Sequence, residues 1–222
     1  MKDFEDSGET PDGAASSGKQ RKSSHDQLGK TVLATDADDM PVSELGIFGR
    51  GKFHENFVVA KSSRHELPIR QKTRVLFDML FSLKLKEGAP PPPGFSRDAV
   101  ELLIVELEEE RRARDVAKHL LYAGAIFQEH YTSLEIDFRL HMTVIYGPKV
   151  NPKETARADF GCLVFRPELI FLADTDIGGL LSEAKEHLES SRKITRLQLY
   201  RLLSAPRIGE TLDPELLRLC LG

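Results

Sequence analysis

The segment from Leu134 to Tyr146 constrains the fold more than any other part of the chain. Leu134, Ile136, Phe138, Leu140, Met142, Val144 and Tyr146 alternate with Glu135, Asp137, Arg139, His141 and Thr143. Successive side chains of a strand point to opposite faces, so the pattern reads as one long strand with a buried and a solvated face. On the solvated face, Glu135, Asp137 and Arg139 suggest cross-strand ion pairing, and His141 reads as a solvated residue. Such a strand needs partners, and Phe53 to Ala60, Phe160 to Phe165 and Leu169 to Leu172 are the candidates.

Elsewhere the apolar residues recur at helical spacing. Leu76, Met79, Leu80 and Leu83 predict a helix introduced by Leu67-Pro68 and running to about Lys86. Ser96 reads as the N-cap of a helical stretch from Arg97 to Phe127, one helix or two, carried by Ala99, Val100, Leu103, Ile104 and Leu107 and then by Val116, Leu120 and Leu121. Glu106 and Glu108 to Arg112 form its charged, solvated middle. Leu180, Leu181, Ala184 and Leu188 mark a further helix, and Ile194, Leu197 and Leu202 another. Asp213-Pro214 starts a last one, to Leu221. The expected fold class is α+β: a single compact domain, residues 46–222, with an antiparallel sheet packed by helices. Residues 1–45 carry five basic against ten acidic residues and are rich in Ser and Gly. That composition predicts a disordered acidic tail.

No motif for catalysis is found. The seven histidines make no HExxH, the glycines make no phosphate-binding loop, and the two cysteines, Cys162 and Cys220, belong to no metal-ligand spacing. The reading is a non-catalytic protein with no metal and no cofactor. No apolar run approaches the ~20 residues of a membrane-spanning helix, and no secretory leader is visible. The expected place is therefore intracellular. Ser23 and Ser24, following Arg21-Lys22, form a candidate phosphorylation site.

Residues 48–86 hold nine basic and three acidic residues. Arg50, Lys52, Lys61, Arg64, Arg70, Lys72 and Arg74 would present a surface for an anionic membrane or a nucleoprotein. The connector 88–95 contains Pro90, Pro91, Pro92 and Pro93 followed by Gly94-Phe95. Four prolines impose an extended polyproline conformation, either a rigid spacer or a docking peptide for a proline-binding host domain.

In element order, with Phe57-Val58-Val59-Ala60-Lys61-Ser62 feeding an apolar segment and Leu134 to Tyr146 following, the chain resembles the matrix proteins of rhabdoviruses. The resemblance implies a virion structural protein that binds the inner membrane face and the viral nucleocapsid, self-associates, and acts in assembly and budding. The alternative is a cytosolic adaptor or regulatory protein whose tail and proline stretch dock other proteins.

Overall fold

The structure is a computed structural model and describes residues 24–47, 56–63, 66–69, 73–76, 78–91, 100–110, 115–130, 138–151, 158–159, 164–190, 193–208 and 214. Five strands form the main sheet: β1 (Phe57–Ser63), β4 (Met79–Leu85), β5 (Val100–Glu108), β6 (Phe138–Tyr146) and β9 (Glu168–Phe171), hydrogen-bonded in that order. Strands β1 and β5 are each antiparallel to β4 between them, while β6 runs parallel to β5 and β9 parallel to β6. The fold is α+β with a mixed sheet, not an antiparallel one throughout. Two small hairpins, β2–β3 (Glu66–Ile69, Thr73–Leu76) and β7–β8 (Ala158–Asp159, Val164–Phe165), stand outside it.

Helices cover both faces of the sheet. On one lie α1 (Ser24–Ala34), α2 (Val42–Leu45) and α5 (Arg196–Ile208). Their Leu33, Leu45, Leu197 and Tyr200 pack with Phe81, Leu103, Val105, Leu107 and Ile145. On the other lies α3 (Asp115–His130), whose Ile126 packs with Leu80, Leu102, Ile104, Met142, Val144 and Tyr146. Helix α4 (Ile177–Glu189) adds a small cluster through Leu180 and Ala184 against Leu202.

This layering explains where the sequence reading departs from the structure. The stretch expected to be a helix from Leu67 to Lys86 is β2, β3 and β4, and the one from Arg97 to Phe127 contains the central strand β5 before α3 begins. A strand covered on both faces is apolar at odd and even positions alike. Its residues then match helical spacing by default. Strand β6 is likewise buried on both faces from Met142 to Tyr146, so its polar positions do not form a solvated face throughout. Helices α1 and α2 lie within the stretch expected to be a disordered tail; residues 1–23 lie outside the described residues. Of the other expectations, the strand near Phe53 is found at β1 and the helices of the C-terminal part are found as α4 and α5. Of the helix expected at Pro214 to Leu221, Pro214 is described and helical, while its other residues, and Cys162 and Cys220, fall outside the described residues.

The edge of β1 is not left open. Asp39 donates its N–H to the Val59 carbonyl at 2.7 Å, and Val59 donates to Met40 at 2.8 Å. The Ser62 N–H reaches the Asp38 carboxylate at 2.6 Å. A bare edge strand is a template for unwanted pairing, and the loop after α1 occupies it.

Helix α1 is fastened to α5 at its C-terminal end. Arg196, the first residue of α5, donates to the carbonyls of Val32 and Leu33 at 3.4 and 3.3 Å, to that of Thr35, and to that of Asp36 at 3.1 Å. These are the orphan carbonyls at a helix C-terminus. Midway along α1, Gly29 allows close approach. A Cβ there would stand 2.5 Å from Leu107 Cδ1 and 3.0 Å from the ring of Tyr200, which is fully buried. Gly29→Ala gains about 1 kcal/mol of helix propensity and loses about 1–3 kcal/mol to overpacking. The expected outcome is net destabilisation in a urea titration; a raised midpoint would show that α1 does not press on β5 as described.

Candidate metal centre

Strand β5 has the sequence VELLIVELE, with its interior fully buried. Its even-numbered residues share the face covered by α3, so Glu106 and Glu108 follow Leu102 and Ile104 along that face. The side chain of Glu106 is 2% exposed. Helix α3 crosses above and presents Lys118, His119 and Tyr122, which are neighbours on a helix surface. Lys118 Nζ lies 3.3 Å from Glu106 Oε2 and also pairs with Glu108 Oε1. His119 is buried, with Nε2 3.2 Å from the same Glu108 oxygen. The Lys118 ammonium also stands 5.5 Å from the centroid of the Tyr122 ring.

Asp78 closes the cluster from the neighbouring strand. It immediately precedes β4, and Met79 pairs with Val105, so Asp78 arrives beside Glu106. Its N–H donates to Glu106 Oε1 at 3.1 Å, and its Oδ2 accepts the N–H of Leu107 at 2.9 Å. Its other oxygen pairs with Lys30 of α1, which is 2.6 Å from Asp26 as well. Four carboxyl groups therefore meet two ammonium groups.

The imbalance shows in the proton affinities. Burial, and then the charge of Asp78, pushes the Glu106 carboxyl up to about 8. Burial acts the same way on Glu108, but the hydrogen bonds from His119 and Lys118 outweigh it and hold that carboxyl below its usual range. For Lys118, burial favours the neutral form, yet Glu106 and Glu108 outweigh it and raise its pKa. Burial and then Glu106 push the Tyr122 hydroxyl up to about 12. Lys30 is raised because Asp26 and Asp78 overcome the cost of burial.

Glu106, Glu108 and His119 each offer a ligand atom, all within 4.8 Å of one another. Carboxylate oxygens suit Mg²⁺ or Mn²⁺, and the imidazole nitrogen favours the softer Mn²⁺ of the two. Ionising Glu106 leaves the cluster two negative charges in excess, so a dication fits the site in charge as well as in donor type. Binding there would displace the proton that Glu106 otherwise keeps.

The residues singled out from the sequence lie elsewhere. Lys61 is exposed on β1, and Arg74 is in β3, in a different sheet. Arg50, Lys52, Arg64, Arg70 and Lys72 lie outside the described residues, as do Ser23, Pro92, Pro93 and Phe95. Ser24 starts α1, and Pro90 and Pro91 are exposed in the connection from β4 to β5. His141 is not a solvated residue: its Nε2 is 2.7 Å from the buried carboxylate of Glu101, to which Arg139 also approaches at 3.8 Å. In sequence Glu106 and Glu108 read as part of a charged face because they neighbour Glu109, Glu110 and the arginines. The signal against that is the spacing of two, with Glu106 inside the apolar run Leu102 to Leu107 and Glu108 just past its end. No protein-family model, no curated protein and no solved structure matches the chain.

Proposed function

We propose that the protein is a divalent-cation-dependent hydrolase of phosphodiester bonds, with nucleic acid as the polymer that supplies them. The observation that carries this reading is the buried Glu106 carboxyl, set between Asp78 and Glu108 against a lysine, with its proton held up to about pH 8. Carboxylates that bind Mg²⁺ or Mn²⁺ characteristically share the ion with substrate phosphates. A cation held by Glu106, Glu108 and His119 would supply Lewis acidity and a bound water of lowered pKa. In the reaction the oxygen of water bonds to phosphorus, the P–O ester bond breaks, and the proton ends on the departing oxygen.

The side chains of the chain itself have separable parts. Lys118 offers positive charge to the phosphate as negative charge grows on it. Without the ion, His119 holds Glu108 in position through Nε2. Asp78, fixed from behind by Lys30 and by the Leu107 N–H, holds Glu106. Arg111, Arg112 and Arg114 stand in sequence between Glu110 and Asp115, in the connection from β5 to α3, and favour a polyanion over a small neutral ester.

Supercoiled plasmid and single-stranded circular DNA, incubated with the full chain and Mg²⁺ or Mn²⁺, test the reading. Expected is cleavage that stops with a chelator and is absent from Glu106→Gln. Equal cleavage by wild type and Glu106→Gln would sink it. The matrix-type reading is supported by the exposed Lys61 on the edge strand and by the basic residues around it in sequence. Its own measurement is co-sedimentation with phosphatidylserine liposomes, weakening as salt rises.

A further inference from the structure

Beside the carboxylate cluster, on the same face of the sheet, lies an open cavity of about 470 Å³ lined by Leu140, Met142, Phe165, Arg166 and Pro167. Two observations tie it to the cluster. The Phe165 ring stands 6.5 Å from the ring of His119, tilted by 40°, and His119 contacts Glu108. Met142 pairs with Ile104, two residues before Glu106 on β5, about 7 Å along the strand. The cavity thus sits about one nucleotide's reach from the place proposed for the phosphate.

Its chemistry is selective. Among the described residues, Leu140, Met142, Phe165 and Pro167 give it apolar walls, with one aromatic ring and one polarisable thioether. Arg166 is exposed at the rim and has no acidic partner among the described residues. A planar guanidinium can stack on a flat ring or pair with a phosphate. A purely apolar ligand would leave that cation unused, and a bare phosphate would leave the walls unused. A flat aromatic group attached to a phosphate uses both.

We propose that this cavity is a nucleobase subsite: it receives one unpaired base of the substrate strand, next to the phosphodiester held at Glu106 and Glu108. The proposal rests on the hydrolase reading and narrows it. A base can enter only when it is out of a duplex stack, so the preferred substrate is single-stranded nucleic acid. Stacking on Phe165 and Arg166 is tolerant of sequence, because every base has a π-face.

The test compares a short fluorescein-labelled single-stranded DNA with an abasic strand of the same length and the same number of phosphates. Affinity is read by anisotropy in Ca²⁺, and cleavage of both strands is read in parallel in Mg²⁺ or Mn²⁺. Expected is binding of the base-bearing strand about tenfold tighter than the abasic one. Phe165→Leu should reduce that preference and leave abasic affinity nearly unchanged; Arg166→Ala should reduce it too, beyond whatever affinity both strands lose with the charge. Arg166 lies on the surface, so its variant tests the idea even if Phe165→Leu folds poorly. Equal affinity for the two strands, with cleavage of both, overturns the subsite and leaves the hydrolase reading standing. A preference that persists in both variants also overturns it. Failure to bind or cleave either strand removes both readings together.

Discussion

Glu106→Gln stabilises the cation-free protein at pH 8.5 and leaves it nearly unchanged at pH 5. Glu106 is an acid whose pKa is raised in the folded state, from 4.5 to about 8. Between those values the folded protein binds more protons than the unfolded chain. The contribution of this group is therefore fully present below about pH 4.5 and is lost as pH rises through 8. Each unit of difference is worth about 1.4 kcal/mol, so the loss amounts to a few kcal/mol. Glutamine mimics the protonated acid and still offers an oxygen to the Asp78 N–H. In a chain of this size the gain at pH 8.5 corresponds to a rise in Tm of roughly 4–10 °C. The wild type should recover the same stability from Mg²⁺ or Mn²⁺ at high pH and gain much less at low pH, whereas the variant should not respond to either ion. Thermal melts across pH, with a chelator and with the metal, read all of this. A wild type whose Tm is flat from pH 5 to 8.5 would remove the buried, frustrated carboxyl on which the site depends.

Lys118→Met has the opposite sign. It removes the ammonium shared by Glu106 and Glu108 and leaves the ionised Glu108 under α3, beside the protonated Glu106, with His119 as its remaining basic neighbour. Breaking a buried pair by deleting one member costs about 3–5 kcal/mol. The lower end applies here, because a third of the Lys118 side chain is exposed to solvent. The variant should melt several degrees lower at neutral pH in chelator. Added dication should restore more stability to it than to the wild type, since the ion takes over the missing positive charge. Hydrolysis should nonetheless fall by at least about 100-fold, because the group that meets charge developing on the phosphate is gone. A variant that binds the ion, regains its stability and still cleaves at the wild-type rate would show that Lys118 serves only the fold.

The parts of the fold that the sequence makes legible are those that keep a polar residue at every second position or an uninterrupted helical stripe. Strand β6 shows itself through the alternation of Arg139, His141 and Thr143 with apolar residues, although Thr143 is buried. Helices α4 and α5 show themselves through spacing and length. The opposite failure occurs at β4 and β5. Met79-Leu80-Phe81 and Leu102 to Leu107 are buried on both sides of the sheet, so the period that would identify a strand is erased. The site was hidden for the same reason. With β5 read as a helix, Glu106 and Glu108 fall on a surface, and Asp78 has no reason to lie near them. Only strand pairing brings Asp78, 28 residues away in sequence, to Glu106. Lys118 and His119 then arrive by the crossover helix that the parallel β5–β6 pair requires.

The clasp of Arg196 on the end of α1 joins residues 164 apart in sequence. A ribosome releases α1 early and α5 late. Until Arg196 and Tyr200 have emerged, α1 lacks the surface against which Gly29 packs, and Lys30 has no fixed approach to Asp78. The carboxylate cluster is thus completed by a helix that leaves the ribosome after all of the cluster's own carboxylates. A nascent chain that already carries every ligand on β5 and α3 still lacks its assembled centre, and truncation before residue 196 should leave a protein that cannot hold the ion.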